Sequence, residues 1–169
     1  MRRVSHCHLT LRGMIAVLVG TTTLVGCRVE TAIPTTVPAG AEELPIHWQA
    51  SGTYSRLTKA VRLVVRDAAT LAQIPLCEVP VDFRTEMVLI AGLGPTPRND
   101  CGIIIQHVWK EGSTLRVLER QIYPGSHISP GLRPASPWTV VVVGRCDLDV
   151  EGYSSRLPRG ALLAANPPR

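Results

Sequence analysis

The sequence predicts a small, mainly β domain: an antiparallel β sandwich or partly open barrel with one short helix. Three observations carry that expectation. Short runs rich in valine and isoleucine recur along the middle of the chain. Two of them are separated only by Glu111-Gly112-Ser113, the spacing of a hairpin. A third, Trp138-Thr139-Val140-Val141-Val142-Val143, has no polar alternation, as expected of a central strand covered on both faces.

Taken in order, the chain opens with Arg2, Arg3 and Arg12 ahead of the apolar run Met14-Ile15-Ala16-Val17-Leu18-Val19. Gly13 to Val25 is 13 residues long, whereas a membrane-spanning helix needs roughly 20, so the stretch fits the hydrophobic region of a signal peptide. Leu24-Val25-Gly26-Cys27 closes it, and this arrangement resembles the lipobox of bacterial lipoproteins. The resemblance implies cleavage before Cys27 and acylation of its thiol. Residues 1–26 are then a signal peptide. The mature protein is held outside the cytoplasm, in the cell envelope, by its N-terminal lipid; two or more acyl chains anchor stably where one does not. Residues 27–44, with Pro34, Pro38 and Gly40, read as a lipidated cysteine followed by a flexible tether.

The β domain is expected over residues 45–153. Ala60-Val61-Arg62-Leu63-Val64-Val65-Arg66 is a β-branched run. Asp67 is placed to cap a short helix over Ala68–Ile74 that Pro75 stops, with Leu71 and Ile74 facing the sheet. Met87–Ala91 is a continuous apolar run and reads as a buried strand. Gly102–Lys110 and Thr114–Arg120 form the hairpin, with Leu115, Val117 and Glu119 on one face and Arg116, Leu118 and Arg120 on the other. Phe83, Trp109 and Trp138 are core candidates, while Trp48, near the tether, is a candidate for exposure. Residues 154–169, with Pro158, Gly160, Pro167 and Pro168, read as a frayed tail in which Ala161–Ala165 has the composition for one helical turn.

Composition narrows the function classes. Loss of the signal takes Lys+Arg from 18 to 15 against 13 Asp+Glu, a net charge near +2. With no basic stripe and no interleaved aromatic platform, nucleic acid binding has no support. Of five cysteines, Cys7 leaves with the signal and Cys27 goes to lipid, so Cys77, Cys101 and Cys146 remain. An odd number in an oxidising compartment suggests one disulfide and one free thiol, with Cys101 and Cys146 as the candidate pair among three pairings. No metal site is expected, because there is no CxxC and His47, His107 and His127 are scattered singly. No cofactor or small-molecule substrate is implied. Asp82 and Glu86 have the spacing of an acid/base couple, but turn chemistry accounts for Asp82, and no nucleophile or oxyanion hole lies near; no catalytic residue is assigned.

Two loops are candidates for contact with a partner, against the alternative that both are solvated connections. Gly94–Cys101 presents Thr96, Arg98, Asn99 and Asp100 between two strong strands. Tyr123–Gly131 is forced into turns by proline and glycine and displays Tyr123 and His127.

The segment Val65-Arg66-Asp67, the short helix, and then Val81-Asp82-Phe83-Arg84-Thr85-Glu86-Met87-Val88-Leu89-Ile90 resembles the opening signature of the PrcB C-terminal family, a protease-complex-associated domain. Gly94-Pro95-Thr96 matches the family's turn, and Pro137-Trp138-Thr139-Val140-Val141 matches its closing strand, with Trp in place of the usual Tyr. The family's Gly-Gly-Tyr is replaced by Pro97-Arg98-Asn99-Asp100-Cys101-Gly102-Ile103. Over residues 48–145 the resemblance implies a mainly β domain on exported proteins, without recorded catalytic residues, whose partner is another exported protein, a protease in the founding member. Two alternatives remain: a loop-mediated protease inhibitor and an envelope structural protein without a specific ligand. The inhibitor reading rests on an outline similarity to chagasin-like loops, which carry Asn-Pro-Thr-Thr-Gly where this chain has Gly94-Pro95-Thr96-Pro97.

Overall fold

The computed structural model describes residues 36–123 and 133–163. The elements run β1 (Glu42–Glu43), β2 (Ile46–Gly52), β3 (Val61–Val65), α1 (Ala68–Ala72), β4 (Glu86–Gly92), β5 (Gly102–Glu111), β6 (Thr114–Ile122), β7 (Trp138–Gly144) and β8 (Asp149–Val150). They form two four-stranded sheets, ordered β1-β5-β6-β8 and β2-β7-β4-β3. Pairing is antiparallel except between β6 and β8, which run parallel over Thr114–Leu115. The result is a β sandwich.

The valine run is interior to its sheet, between β2 and β4, and both of its faces are covered. Val141 and Val143 meet Met87, Leu89, Ile103, Ile105 and Val108 in the core between the sheets. Val140 and Val142 point the other way, into a second core with Val88, Ile90 and Trp138. That outer core is roofed by α1 and by single residues from irregular chain: Ile74, Leu57 and Ala161. Asp67 caps α1 by accepting the Thr70 N–H at 2.8 Å, and Leu71 and Ile74 pack inward as the sequence predicts. The helix stops at Ala72, short of Pro75, because a proline restricts the residues before it as well as its own position.

β2 goes unnoticed in the sequence: an irregularity between Ile46 and Trp48 sends Ile46 to the core between the sheets and Trp48 and Ala50 to the outer core, while Gln49 donates to the Ile105 carbonyl of the other sheet at 3.1 Å. Trp48 is half-buried against the outer core. Trp109 and Trp138 are buried, and the Trp138 indole N–H donates to the Tyr54 carbonyl at 2.9 Å.

Both ends of the domain need correction. The expected tether over 27–44 enters the fold before it ends. Glu42 and Glu43 pair with Lys110 and Trp109, and Leu44 buries its side chain between the sheets while its N–H donates to the Val108 carbonyl at 2.7 Å. The expected tail over 154–169 is ordered through Leu163. Ser154 donates to the Arg62 carbonyl and accepts from Val64, and Leu57 bridges Leu162. Ala161, 1% exposed, completes the outer core and forms no helix. A short segment that supplies one or two anchors to an existing core needs no periodicity of its own. Cys27 and His127 lie outside the described residues.

Candidate functional site

Toward the Gly102 end of β5 the two sheets part, and the gap between them is a cleft of about 530 Å³. Arg62 of β3 and Ala60 just before it line one side, Gln121 of β6 and Tyr123 just after it line the other, and the loop after β4 supplies the wall between. The two loops that the sequence offers for partner contact therefore converge on one place, Thr96 and Arg98 from the first with Tyr123 from the second.

The wall is held from several directions. Gly94 has φ +71°, a conformation that suits glycine, and a Cβ there would stand 2.5 Å from the Lys59 carbonyl carbon. The loop can therefore lie directly on the chain that leads into β3. Thr96 then exchanges two backbone hydrogen bonds with Ala135, at 2.8 and 2.9 Å. Its hydroxyl donates to the Arg98 carbonyl at 2.9 Å. The Arg98 guanidinium donates to both oxygens of Asp100, at 3.0 and 2.6 Å, in the fork geometry that fixes both groups. That guanidinium holds the Asp100 carboxyl below the usual carboxylate range. Asn99 and Asp100 form the turn behind the wall and do not line the cleft.

Beneath the opening lies a cluster that sequence reasoning passed over. Glu119 is on the inward face of β6, as its alternation with Leu115 and Val117 requires, and receives the Arg62 Nε across the gap. It also accepts the Tyr153 hydroxyl at 2.5 Å. Arg62 donates further to the Gly92 carbonyl at 3.0 Å. Burial beside Glu119 pushes the Tyr153 hydroxyl far above its ordinary pKa, so it stays protonated and stays a donor. The signal was present: a glutamate in register with core leucine and valine needs a partner inside.

The remaining candidates fall elsewhere. Asp82 and Glu86 form a turn and not a couple. Asp82 accepts the Arg84 N–H at 3.0 Å, Glu86 accepts the Asp82 N–H at 3.0 Å, and His47 Nδ1 lies 2.8 Å from the other Glu86 oxygen. The carboxyls of both are lowered, Asp82 chiefly by Arg84 and Glu86 chiefly by the Asp82 backbone. Cys77, Cys101 and Cys146 are all free thiols, so the candidate Cys101–Cys146 disulfide is not formed. Cys101 lies in the cleft, before β5 begins, whereas Cys146 lies near Lys110, close to that strand's far end. At the rise of a strand the two ends of β5 are roughly 30 Å apart, well beyond disulfide reach. Among the described residues, no three of His, Cys, Asp and Glu gather as a metal-ligand set.

No protein-family model, curated protein or solved structure matches the chain.

Proposed function

We propose that this chain is an exported, membrane-tethered lipoprotein whose β domain is a non-catalytic binding module for another exported protein, a protease being the partner class the sequence resemblance favours. The observation that carries the reading is the convergence of Thr96, Arg98 and Tyr123 on one cleft with a rigid wall. Recognition surfaces are commonly loops held by a stable framework, and this loop packs on the chain leading into β3, pairs with Ala135 and is closed on itself by Arg98 and Asp100. The lipobox-like Leu24-Val25-Gly26-Cys27 supports the location, since acylation of Cys27 would keep the module at the envelope where such a partner resides.

The test is capture from detergent-solubilised membranes of the native host, using the full-length chain as bait beside its Arg98→Ala/Tyr123→Ala double variant. The expected result is a specific partner retained by the wild type and lost from the variant. Recovery of no partner, or equal recovery by both, overturns the reading. Intact mass of the wild type beside Cys27→Ser checks the tether: acyl mass is expected on the wild type alone.

A second reading, protease inhibition, is favoured by the same internal staples, because an inhibitory loop must resist cleavage by holding one conformation. Stoichiometric loss of activity on titrating papain-type proteases with the protein separates it from passive binding.

A further inference from the structure

The cleft is flanked by a strand edge that has no partner among the described residues. β8 pairs only with Thr114 and Leu115, so among the described residues Arg116–Ile122 has a neighbour on the β5 side alone. Along an antiparallel strand the backbone groups point alternately to the two sides. The Leu115 carbonyl accepts from the Glu151 N–H on the β8 side. By that alternation Val117, Glu119 and Gln121 direct their N–H and C=O groups to the same free edge. The intervening residues direct theirs to β5. The irregularity in this pairing is on β5, between Ile105 and His107, and leaves the order along β6 intact.

We propose that this edge takes an extended segment of the partner as an added strand, one that presents an acidic residue between two apolar ones on the outward face. The proposal rests on the binding-module reading and deepens it. Only an extended backbone matches a row of donors and acceptors at strand spacing. The side chains set the rest of its chemistry. Leu118, Arg120 and Ile122 succeed one another on the outward face, with Ile122 39% exposed and Tyr123 65% exposed beyond it. Arg116 is ion-paired with Glu111 and Glu151, whereas Arg120 has no ion pair among the described residues. A complementary strand therefore places a carboxylate opposite Arg120 and apolar groups opposite Leu118 and Ile122. An inward-pointing charge is one of the devices that protect a free edge, and Glu119 is such a charge, but Arg62 and Tyr153 already satisfy it. A second copy of this chain is a poor occupant. With the two-fold axis at the middle of the free stretch Glu119 meets Glu119, and one residue to either side Arg116 meets Arg120 or Arg120 meets Arg120.

The probe is a capped heptapeptide, Thr-Val-Thr-Glu-Thr-Val-Thr, titrated into the full-length chain in detergent and followed by residue-resolved hydrogen exchange. Without peptide, the amides of Val117, Glu119 and Gln121 are expected to exchange faster than their neighbours on β6. With peptide, those three become protected. Gln121→Pro removes one outward donor and leaves the β5 ladder intact, and is expected to weaken binding about tenfold. Arg120→Glu is expected to lose this peptide and gain its Thr-Val-Thr-Lys-Thr-Val-Thr counterpart, a swap that reports on the edge even if the proline variant folds poorly. Protection elsewhere on the protein, no saturable binding, or equal binding of both peptides by the wild type overturns the proposal. If the membrane partner is retained equally by wild type and Arg120→Glu, strand addition fails while the binding-module reading stands. If the peptide protects the edge but no membrane partner is found, the binding-module reading fails and the edge preference stands.

Discussion

The two sheets draw on the same vocabulary of valine, leucine and isoleucine and put it to different ends. In β2-β7-β4-β3 the interior strands are closed on both faces: Val140 to Val143 and Met87 to Ala91 are all 0% exposed. In β1-β5-β6-β8 one face meets the core, and β6 has Leu115 as its only fully buried side chain. The first sheet spends its apolar residues on two cores at once, so it sets the stability of the whole domain. In the second, Arg116–Ile122 of β6 has one strand neighbour among the described residues, which leaves backbone polar groups unmatched beside the cleft. Rigidity in one sheet is what allows an open edge in the other to be presented in a fixed place.

The largest test of this asymmetry is a pair of truncations. Leu89→Ala, wholly enclosed between the sheets, should destabilise by about 2–5 kcal/mol in denaturant unfolding of the full-length chain. Leu118→Ala, half-buried on the outward face of β6, should cost less than about 1 kcal/mol. Equal losses would mean that the hairpin contributes to stability as the central sheet does, and would break the comparison.

Next in size are changes where the sheets meet. Glu119→Gln leaves the Arg62 charge without its carboxylate at a partly solvated site, for an expected loss of about 1–3 kcal/mol. Gly94→Ala forces an alanine to φ +71° against the backbone at Lys59, costing about 1–2 kcal/mol before any steric displacement. Faster hydrogen exchange at Thr96 in that variant would show the cleft wall lifting away while the central sheet stays protected.

Tyr153→Phe removes one hydrogen bond to a carboxylate and should cost about 1–2 kcal/mol. It also carries a pH signature. The Tyr153 pKa is raised in the folded protein, so its contribution is complete below the unfolded tyrosine value near 10 and declines as pH rises above it. Wild type should therefore lose stability above about pH 10, and the phenylalanine variant should show a shallower alkaline decline.

The smallest effects belong to the two Arg–Asp turns, which use the same pair in opposite order. Arg84 is 90% exposed, and Arg84→Ala should leave the melting temperature unchanged. Asp100 is lowered by Arg98, so its stabilisation is present above the ordinary carboxylate range and fades as pH falls through the folded value. Asp100→Asn should flatten that acid limb slightly. Its clearer readout is partner capture, because it removes the charged fork between Arg98 and Asp100 at the cleft wall.

The longer strands apart from β2 were legible because each announces itself locally. The valine run, Met87–Ala91, the hairpin and the Asp67 cap are all patterns within ten residues or so, and all appear in the fold. Leu44, Leu57 and Ala161 were not legible. Each is one small or apolar residue among prolines, glycines and polar neighbours, and each is buried only because a distant surface exists for it to cover. The cleft was half legible. Turn composition singled out Thr96, Arg98 and Tyr123 separately, but the Thr96–Ala135 bridge that helps hold the wall is non-local. Arg62 stands in a β-branched run, and nothing local shows that the chain folds it beneath a second sheet against Glu119.

β1 joins the hairpin beside Lys110, near the Gly112 turn, while the cleft opens beside Cys101 and Tyr123 at the other ends of the same strands. The chain therefore joins this sheet at one end of the hairpin while the cleft opens at the other, a span of roughly 30 Å, so the entering chain and an occupant of the cleft do not compete for the same end of the sheet.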